Sequence, residues 1–311
     1  MRQLIRKVFW VAFCLIPFSG FSVVWASEWQ VVVRNQLALH HQLSDSILAN
    51  RFLGELLVQR EVVRKKLGHI PATPMTVYLA PSQTAFDELT QGRLPHWSAA
   101  VAMPALRTIV LKRGPLERQT QTIQHELSHV LLHAAVGKYV PVWFNEGVAM
   151  WASHEWRLQN TASVLYAVLS GGLISLSEID AVLQFPSVKA DLAYTESLLA
   201  VLYIIRLGGE NAIVAMISEL SYGASFDVAL FRVTDKTPYE FEKTWNNYVS
   251  GRFSLAALLV SPDSLWGYLV LLFGVAYVAV RLRNRAKLRR WELEERFEAF
   301  ELKVYQPEDE P

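Results

Sequence analysis

Between residues 29 and 112, short apolar runs and longer helical patterns follow one another along the chain. Gly68 ends the longest helical pattern, and Pro71 and Pro74 follow it, as expected where a helix stops. Alternating elements of this kind predict a small mixed sheet backed by helices. The predicted elements are a strand at Trp29–Arg34, a helix at about Ser44–Leu67, a strand at Met75–Leu79, a short helix at Ser82–Leu89, and strands near Ala99–Ala102 and Thr108–Lys112.

An apolar stripe defines the next helix, which is predicted from about Leu116 to Val136, with a proline just before it and a glycine just after it. At about 100° per residue, His125, Glu126 and His129 lie on the side of this helix away from the stripe. The pattern predicts separate packing and polar faces, as in a helix that lines a cleft. A surface helix with two solvated histidines is the alternative. The stripe consists of Ile123, Leu127, Val130, Leu131 and Ala134.

The rest of the globular part is predicted to be helical. A second helix starts near Pro141, and only helices are predicted from Trp156 to Tyr248, with glycine breaks at positions 171–172, 208–209 and 223. The predicted fold class is therefore α+β, in which a small mixed sheet with helices precedes the histidine-bearing helix and an all-helical lobe.

Two apolar runs lie outside this pattern and predict the location of the protein. Residues 1–26 are typical of a signal peptide, with basic residues before an apolar run and the small residue Ala26 at its end. An uncleaved anchor is the alternative, because the run is long. The only cysteine, Cys14, lies inside this segment, so the mature chain would have no thiol for catalysis or metal binding.

The second apolar run, Leu265–Leu282, predicts one C-terminal transmembrane helix at residues 264–282. A basic cluster follows and predicts a cytoplasmic carboxyl end, which places the main domain on the outer face of the cell membrane. A buried helix with a solvated basic end is the alternative. The charged tail after it, Trp291–Tyr305, either contacts the membrane or a partner or is simply solvated. The cluster consists of Arg281, Arg283, Arg285, Lys287, Arg289 and Arg290.

The chain has 311 residues and a formal net charge of +1, which gives no reason to expect a nucleic-acid partner. Nothing in the composition indicates an oligomeric state. The predicted domains are a signal peptide at 1–26, an N-terminal α/β lobe at 27–115, the paired motif helices at 116–155, a helical lobe at 156–260, the transmembrane helix at 264–282 and a cytoplasmic tail at 283–311.

The polar face of the first motif helix has the residues that zinc-assisted hydrolysis requires. His125 and His129 are one turn apart and can reach one metal ion, and Glu126 can take a proton from an activated water. His133 is excluded as a third ligand, because it rises about 12 Å along the helix from His125. Glu146 in the second helix is the better third ligand, since two histidines and one glutamate form a catalytic zinc set with one open position. A carboxylate favoured by the helix dipole is the alternative for Glu146.

The two motifs, His125–His129 and Trp143–Ala149, resemble those of the gluzincin metallopeptidases. The second motif is similar to that of the M1 aminopeptidases, and the wider layout, over about residues 28 to 250, resembles the bacterial peptidase MA-like domains. The resemblance implies a zincin-like fold, one zinc ion on His125, His129 and Glu146, and Glu126 as general base and acid. It also implies that the strand before the active-site helix, Thr108–Lys112, forms the edge of the cleft, where a peptide could add as a further strand.

The resemblance has two departures. The segment Val101–Ala105 lacks the acid and the asparagine with which aminopeptidases hold a free amino terminus, so exopeptidase action does not carry over. Met150 stands where thermolysin-like enzymes have an aspartate that supports a zinc-binding histidine. Tyr194, which is predicted to open a helix that runs to about Leu207, is the best candidate for a donor to the oxyanion. A packing tyrosine is the alternative.

Together these features predict a single-pass, membrane-anchored zinc metallopeptidase that cleaves peptide or protein substrates outside the cytoplasm, within the chain rather than at its ends. One rival hypothesis is a zinc-binding envelope assembly module with little or no protease activity, although the intact Glu126 counts against it. The other is a scaffold that binds partners independently of the zinc site.

Overall fold

A mixed sheet of five strands lies in the N-terminal part of the protein. A computed structural model describes residues 29–92, 98–155, 158–253, 272–285 and 287. The strands in this part of the chain are β1 (Trp29–Arg34), β2 (Leu37–Gln42), β3 (Met75–Ala80), β4 (Ala100–Met103) and β5 (Thr108–Lys112). Their order is β1-β2-β3-β5-β4, with parallel pairing in the centre and antiparallel pairing at both edges. The predicted mixed sheet is therefore confirmed.

Helices make up the remainder of the described chain. They are α1 (Ser46–Lys66), α2 (Gln83–Leu89), α3 (Thr120–Val136), α4 (Val142–Ala152), α5 (Leu158–Ser170), α6 (Ser187–Gly208), α7 (Ala212–Ser221), α8 (Phe226–Thr234), α9 (Pro238–Arg252) and a further helix, α10, over 272–285. After β5 the described residues contain no strand, so the α+β class with a helical second half is confirmed.

Strand β2 is an element that the sequence pattern did not predict. It forms a hairpin with β1 through Asn35 and Gln36, which both have positive φ, at 49° and 63°. A two-residue turn of this type usually contains glycine, so the sequence lacks the usual hairpin signal. The buried side of β2 also ends in His41 rather than an apolar residue, which weakens the alternation.

The expectation that Thr108–Lys112 forms the edge of the cleft was wrong. β5 lies between β3 and β4, and β4 is the edge strand that contacts α3. The tight connection Pro104–Leu106, followed by Arg107 in the left-handed region, folds the chain back and makes β4 and β5 antiparallel neighbours. The strand nearest to α3 in space is therefore β4, although β5 is nearer in sequence.

The sheet is covered on both faces. The inner side chains of β2, β3 and β5 are almost fully buried where α1 and α3 contact the strands, and α1 and α3 also contact each other. On the opposite face, Phe86 and Ala85 of α2 pack on Ala80 and Val110. The polar motif of α3 therefore belongs to a helix that the sheet and α1 hold in place.

Helix α4 approaches α6 at Gly147. A Cβ atom at this position would lie 2.3 Å from the Ser197 carbonyl oxygen and 2.6 Å from Cγ2 of Val201. The close contact at Gly147 is therefore with α6. The absence of a side chain sets the distance between these two helices.

The chain divides into two units. One consists of Met1–Val164 and Leu173–Trp245 and holds the sheet, α3, α4 and α6; the other consists of Leu165–Gly172 and Asn246–Pro311 and holds α10. No described helix is by itself both long and apolar enough to cross a membrane, although α6 and α7 would meet these criteria together, with a bend of 96° between them. The predicted signal peptide, residues 264–271 of the predicted transmembrane helix and the charged tail Trp291–Tyr305 lie outside the described residues, whereas residues 272–282 are described, as helix.

A loop of the helical lobe is held by two buried or half-buried carboxylates. Both oxygens of Glu196 accept from the Ile174 N–H, at 3.0 and 3.3 Å, and Oε1 of Glu242 accepts from the Leu176 N–H and the Ser175 hydroxyl, both at 2.9 Å. The Glu196 side chain is fully buried, and this burial raises its pKa to about 8. Glu196 is therefore mainly protonated in the folded protein at neutral pH.

Gly147→Ala is expected to destabilise the fold by about 1–3 kcal/mol, because the new methyl group overlaps the backbone of α6. Thermal or denaturant unfolding measures the effect. Gly54→Ala in α1 is the matched control, since nothing lies within 4 Å of a Cβ built there, and it should be neutral or slightly stabilising. Equal stabilities of the two variants would contradict this account of Gly147.

Glu196→Gln is expected to remove a pH dependence of stability. The unfolded carboxyl has a pKa near 4.5 and the folded one about 8, so the unfolded state holds fewer protons between these values. The contribution of Glu196 is therefore complete below about pH 4.5 and is lost as the pH rises through about 8, with a slope of at most about 1.4 kcal/mol per pH unit. Urea unfolding at several pH values measures the difference between wild type and variant, and the exposed control Glu210→Gln should retain the wild-type slope.

Candidate metal centre

Helix α3 presents His125 and His129 one turn apart. It starts at Thr120, later than predicted, because Leu116–Arg118 form a separate 3₁₀ turn. It ends as predicted at Gly137, which adopts the left-handed conformation with φ 66°. The predicted apolar stripe is buried except for the half-buried Ala134, but Glu126 and His129 are also buried, with 8% exposure each. The polar face therefore packs inside the protein instead of lining an open surface.

Helix α4 carries Glu146 in its second turn and is held at both ends by charged side chains. At its start, Oδ1 of Asp180 accepts from the Val142 N–H at 2.9 Å. At its end, Nζ of Lys66 donates to the carbonyls of Trp151 and Ala152, at 2.7 and 3.3 Å. A negative group at the amino end and a positive group at the carboxyl end of a helix both interact favourably with the helix dipole. The position of Glu146 along the helix axis is therefore well defined.

The three predicted ligand residues come together. The Nε2 atoms of His125 and His129 lie 3.5 and 3.6 Å from Oε2 of Glu146, and the ligand atoms of all three residues lie within 4.8 Å of one another. Zinc with ligands at about 2.0–2.1 Å in a tetrahedron places those ligands about 3.3–3.4 Å apart. The donor set and its spacing therefore fit one metal ion such as zinc.

The charges at this site stabilise one another. Burial alone would lower the pKa of His125, but hydrogen bonds to Glu146 and Glu155 raise it well above the usual range. Burial would raise the pKa of Glu146, but His129 and His125 together lower it. The two carboxylates therefore favour a positive charge at this position, which suits a cation.

Glu126 lies beside the three ligand residues. Its carboxylate accepts a hydrogen bond from the Ala102 backbone N–H of β4, and burial raises its pKa while His125 and His129 act in the opposite direction. The carboxylate therefore lies between the edge of the sheet and the candidate ligand residues. This is a suitable position for a group that exchanges protons with a bound water.

Tyr194 projects from α6 toward the same site. Helix α6 begins at Ser187, so Tyr194 lies inside the helix and does not open it as predicted. Burial, followed by the negative charges of Glu146 and Glu126, raises the pKa of the Tyr194 phenol well above its usual range. The hydroxyl therefore retains its proton at neutral pH and can donate it in a hydrogen bond.

Glu155 is a site residue that the sequence analysis missed. Its Oε1 lies 3.1 Å from Nδ1 of His125, on the side of the ring opposite to Glu146, and accepts from the Ser153 hydroxyl at 2.9 Å. Support for the histidine thus comes from a residue after the end of α4 and not from position 150. A search for an acid shortly after the Glu146 helix would have found it.

The His133 side chain and the Nδ1 atom of His129 are not part of the contacts described above. His133 is absent from the metal-binding group found among the described residues, in agreement with its exclusion from the spacing. In the same part of the chain, the buried Nδ1 atom of His129 has no hydrogen-bond partner. Of the two candidate histidine ligands, only His125 has a carboxylate at its Nδ1 atom in the described chain.

Comparison with known proteins identifies the family of the chain. The family model of the Peptidase MA superfamily matches residues 59–251, which is more than half of the chain and includes α3, α4 and Tyr194. No curated protein matches the chain significantly. The superfamily assignment points to protease activity and supports the predicted peptidase MA-like domain. The chain therefore belongs to the Peptidase MA superfamily.

Proposed function

We propose that the protein is a zinc-dependent metallopeptidase of the gluzincin type, which cleaves bonds within peptide or protein chains. The observation that carries the proposal is the convergence of two imidazole nitrogens and one carboxylate oxygen, with separations of 3.5 and 3.6 Å from the carboxylate. A structural zinc would be closed by a fourth side chain. In the described residues the cluster contains only these three, which leaves one position for chemistry.

Each residue at the site has a distinct role in this proposal. His125, His129 and Glu146 would hold the metal, which when bound supplies Lewis acidity to water and to the scissile carbonyl. Glu126 accepts the proton of the attacking water and delivers it to the leaving amine. The protonated Tyr194 hydroxyl donates a hydrogen bond to the oxygen that becomes negative. Before substrate binds, the Ala102 N–H orients the Glu126 carboxylate.

The substrate is proposed to lie along β4. The Lys112 N–H donates to the Ala99 carbonyl, and Val101 is paired with Val110. Because bonding alternates along an antiparallel ladder, the backbone N–H and C=O groups of Ala100 and Ala102 point away from β5. An extended peptide could bond to this edge as an additional strand. β4 contains no acidic residue that could hold a free amino terminus, which favours cleavage within a chain.

We further propose that residues 264–282 anchor the protein in the cell membrane, with the peptidase domain outside and the carboxyl end in the cytoplasm. Every described side chain of α10 is exposed, including the apolar ones from Leu272 to Leu282. A helix that is apolar on all sides requires either lipid or a protein partner. The basic residues that end and follow it, Arg281, Arg283, Arg285 and Lys287, favour the cytoplasmic side.

Glu126→Gln is expected to abolish peptide cleavage, with a loss of about 10²–10⁴-fold in kcat, while zinc remains bound. The measurement combines cleavage of an unstructured protein such as casein with zinc content after dialysis. In the same assay, Tyr194→Phe should lower kcat by about 10²-fold. His129→Ala should lose both zinc and activity, whereas the control His133→Ala, one turn further along α3, should retain both.

The outcomes of this experiment separate the hypotheses. A wild-type protein without bound zinc would rule out the metallopeptidase. A wild-type protein that binds zinc but cleaves nothing, and that Glu126→Gln leaves unchanged, would favour the zinc-binding assembly module instead.

A reporter enzyme fused after Pro311 tests the topology. An enzyme that is active only in the cytoplasm should be active in the fusion, and an enzyme that requires export should be inactive. The opposite pattern would contradict the single-pass orientation.

A further inference from the structure

The turn that follows α4 has an unusual last residue. The Glu155 N–H donates to the Met150 carbonyl at 2.9 Å, the His154 N–H donates to the Trp151 carbonyl at 3.4 Å, and His154 has φ 56°. This pair of bonds around a left-handed residue is a Schellman motif, which ends a helix in a fixed geometry. The position of Glu155 in that motif usually holds an apolar side chain that packs back on the helix. Here it holds a carboxylate that faces His125.

The carboxylate determines which imidazole nitrogen of His125 faces the metal site. Oε1 of Glu155 lies 3.1 Å from Nδ1, and Nε2 lies 3.5 Å from Oε2 of Glu146. A carboxylate at Nδ1 keeps the proton on that atom and leaves Nε2 as the ligand. The Ser153 hydroxyl donates to the same oxygen at 2.9 Å, which restricts rotation of the Glu155 side chain.

Residues from two other helices hold the turn in place. Lys66, the last residue of α1, donates to the Trp151 carbonyl at 2.7 Å, and its Nζ lies 3.0 Å from Nε2 of His154 and 4.6 Å from the centre of the Trp151 ring. Nε2 of Gln121 in α3 donates to the His154 carbonyl at 3.3 Å. Lys66 is half-buried, so its bonds to the end of α4 are partly shielded from water.

We propose that Glu155 is the positioning residue for the metal ligand His125, and that Lys66 acts through it by holding the turn on which Glu155 lies. The proposal rests on the proposed metal site and deepens it. His129 has no corresponding partner in the described chain, so orientation of the ligand set depends on the His125 side. Removal of a group of this kind behind a metal ligand typically lowers metal affinity by about 10–100-fold.

The test measures zinc affinity of the full chain by competition with a chromophoric chelator, with zinc as the only probe. Glu155→Ala is expected to weaken zinc binding by about 10–100-fold, and Glu155→Gln, which can still accept a hydrogen bond, should weaken it less. Lys66→Met, which keeps the aliphatic stem, should weaken it in the same direction by a smaller factor. The control Lys65→Met removes a neighbouring exposed charge and should bind zinc as the wild type does.

A double variant separates positioning from a general loss of stability. If Lys66 acts through Glu155, Lys66→Met should change zinc affinity much less in a Glu155→Ala background than in the wild type. A merely structural role would lower the melting temperature of the zinc-free protein but would leave the stabilisation gained on adding zinc unchanged.

The results distinguish this inference from the proposed function. Unchanged zinc affinity in Glu155→Ala, or additive effects of the two substitutions, would overturn the inference while the metallopeptidase stands. A wild-type protein that does not bind zinc would overturn both. A wild-type protein that binds zinc without cleaving peptides would overturn only the catalytic assignment. Weaker zinc binding by Glu155→Ala would still support the positioning role in that case.

Discussion

The site depends on the position of one short helix, α4. A side chain at Gly147 would overlap the backbone of α6, so the absence of a side chain brings Glu146 and Tyr194, which lie on these two helices, to one place. Asp180 and Lys66 hold the two ends of α4. The metal site therefore joins the sheet-bearing half of the domain, through α1 and α3, to the helical half, through α6. A small shift of α4 would affect all of these contacts together.

Burial explains the electrostatic character of the site. His125 lies between Glu146 and Glu155, and Glu126 is close to the same imidazole. Three carboxylates therefore lie around the His125 ring. Because these side chains are largely buried, such an arrangement interacts more strongly with a cation than it would in bulk water. Burial, followed by the negative charges of Glu146 and Glu126, raises the pKa of the Tyr194 phenol and keeps it in its donor form.

Local patterns made the motif helices predictable, whereas tertiary contacts decided the rest. The His125–His129 spacing and the proline before α4 act within a few residues, and the structure shows both helices near their predicted positions. Glu155 is part of the site because the turn after α4 returns it toward α3, a tertiary contact that lies outside both motifs. The order of β4 and β5 likewise follows from a left-handed residue, Arg107, that has no sequence signal of its own.

The backbone amide of Ala102 belongs to two systems at once. It is part of the exposed side of β4, and it is also a hydrogen-bond donor to Glu126. A peptide that added to β4 would therefore compete for, or displace, the bond that orients the carboxylate. Peptide binding along β4 and orientation of the Glu126 carboxylate would then depend on the same amide. A substrate side chain far from the scissile bond could therefore alter the rate of hydrolysis by changing how tightly the peptide binds to the Ala102 amide.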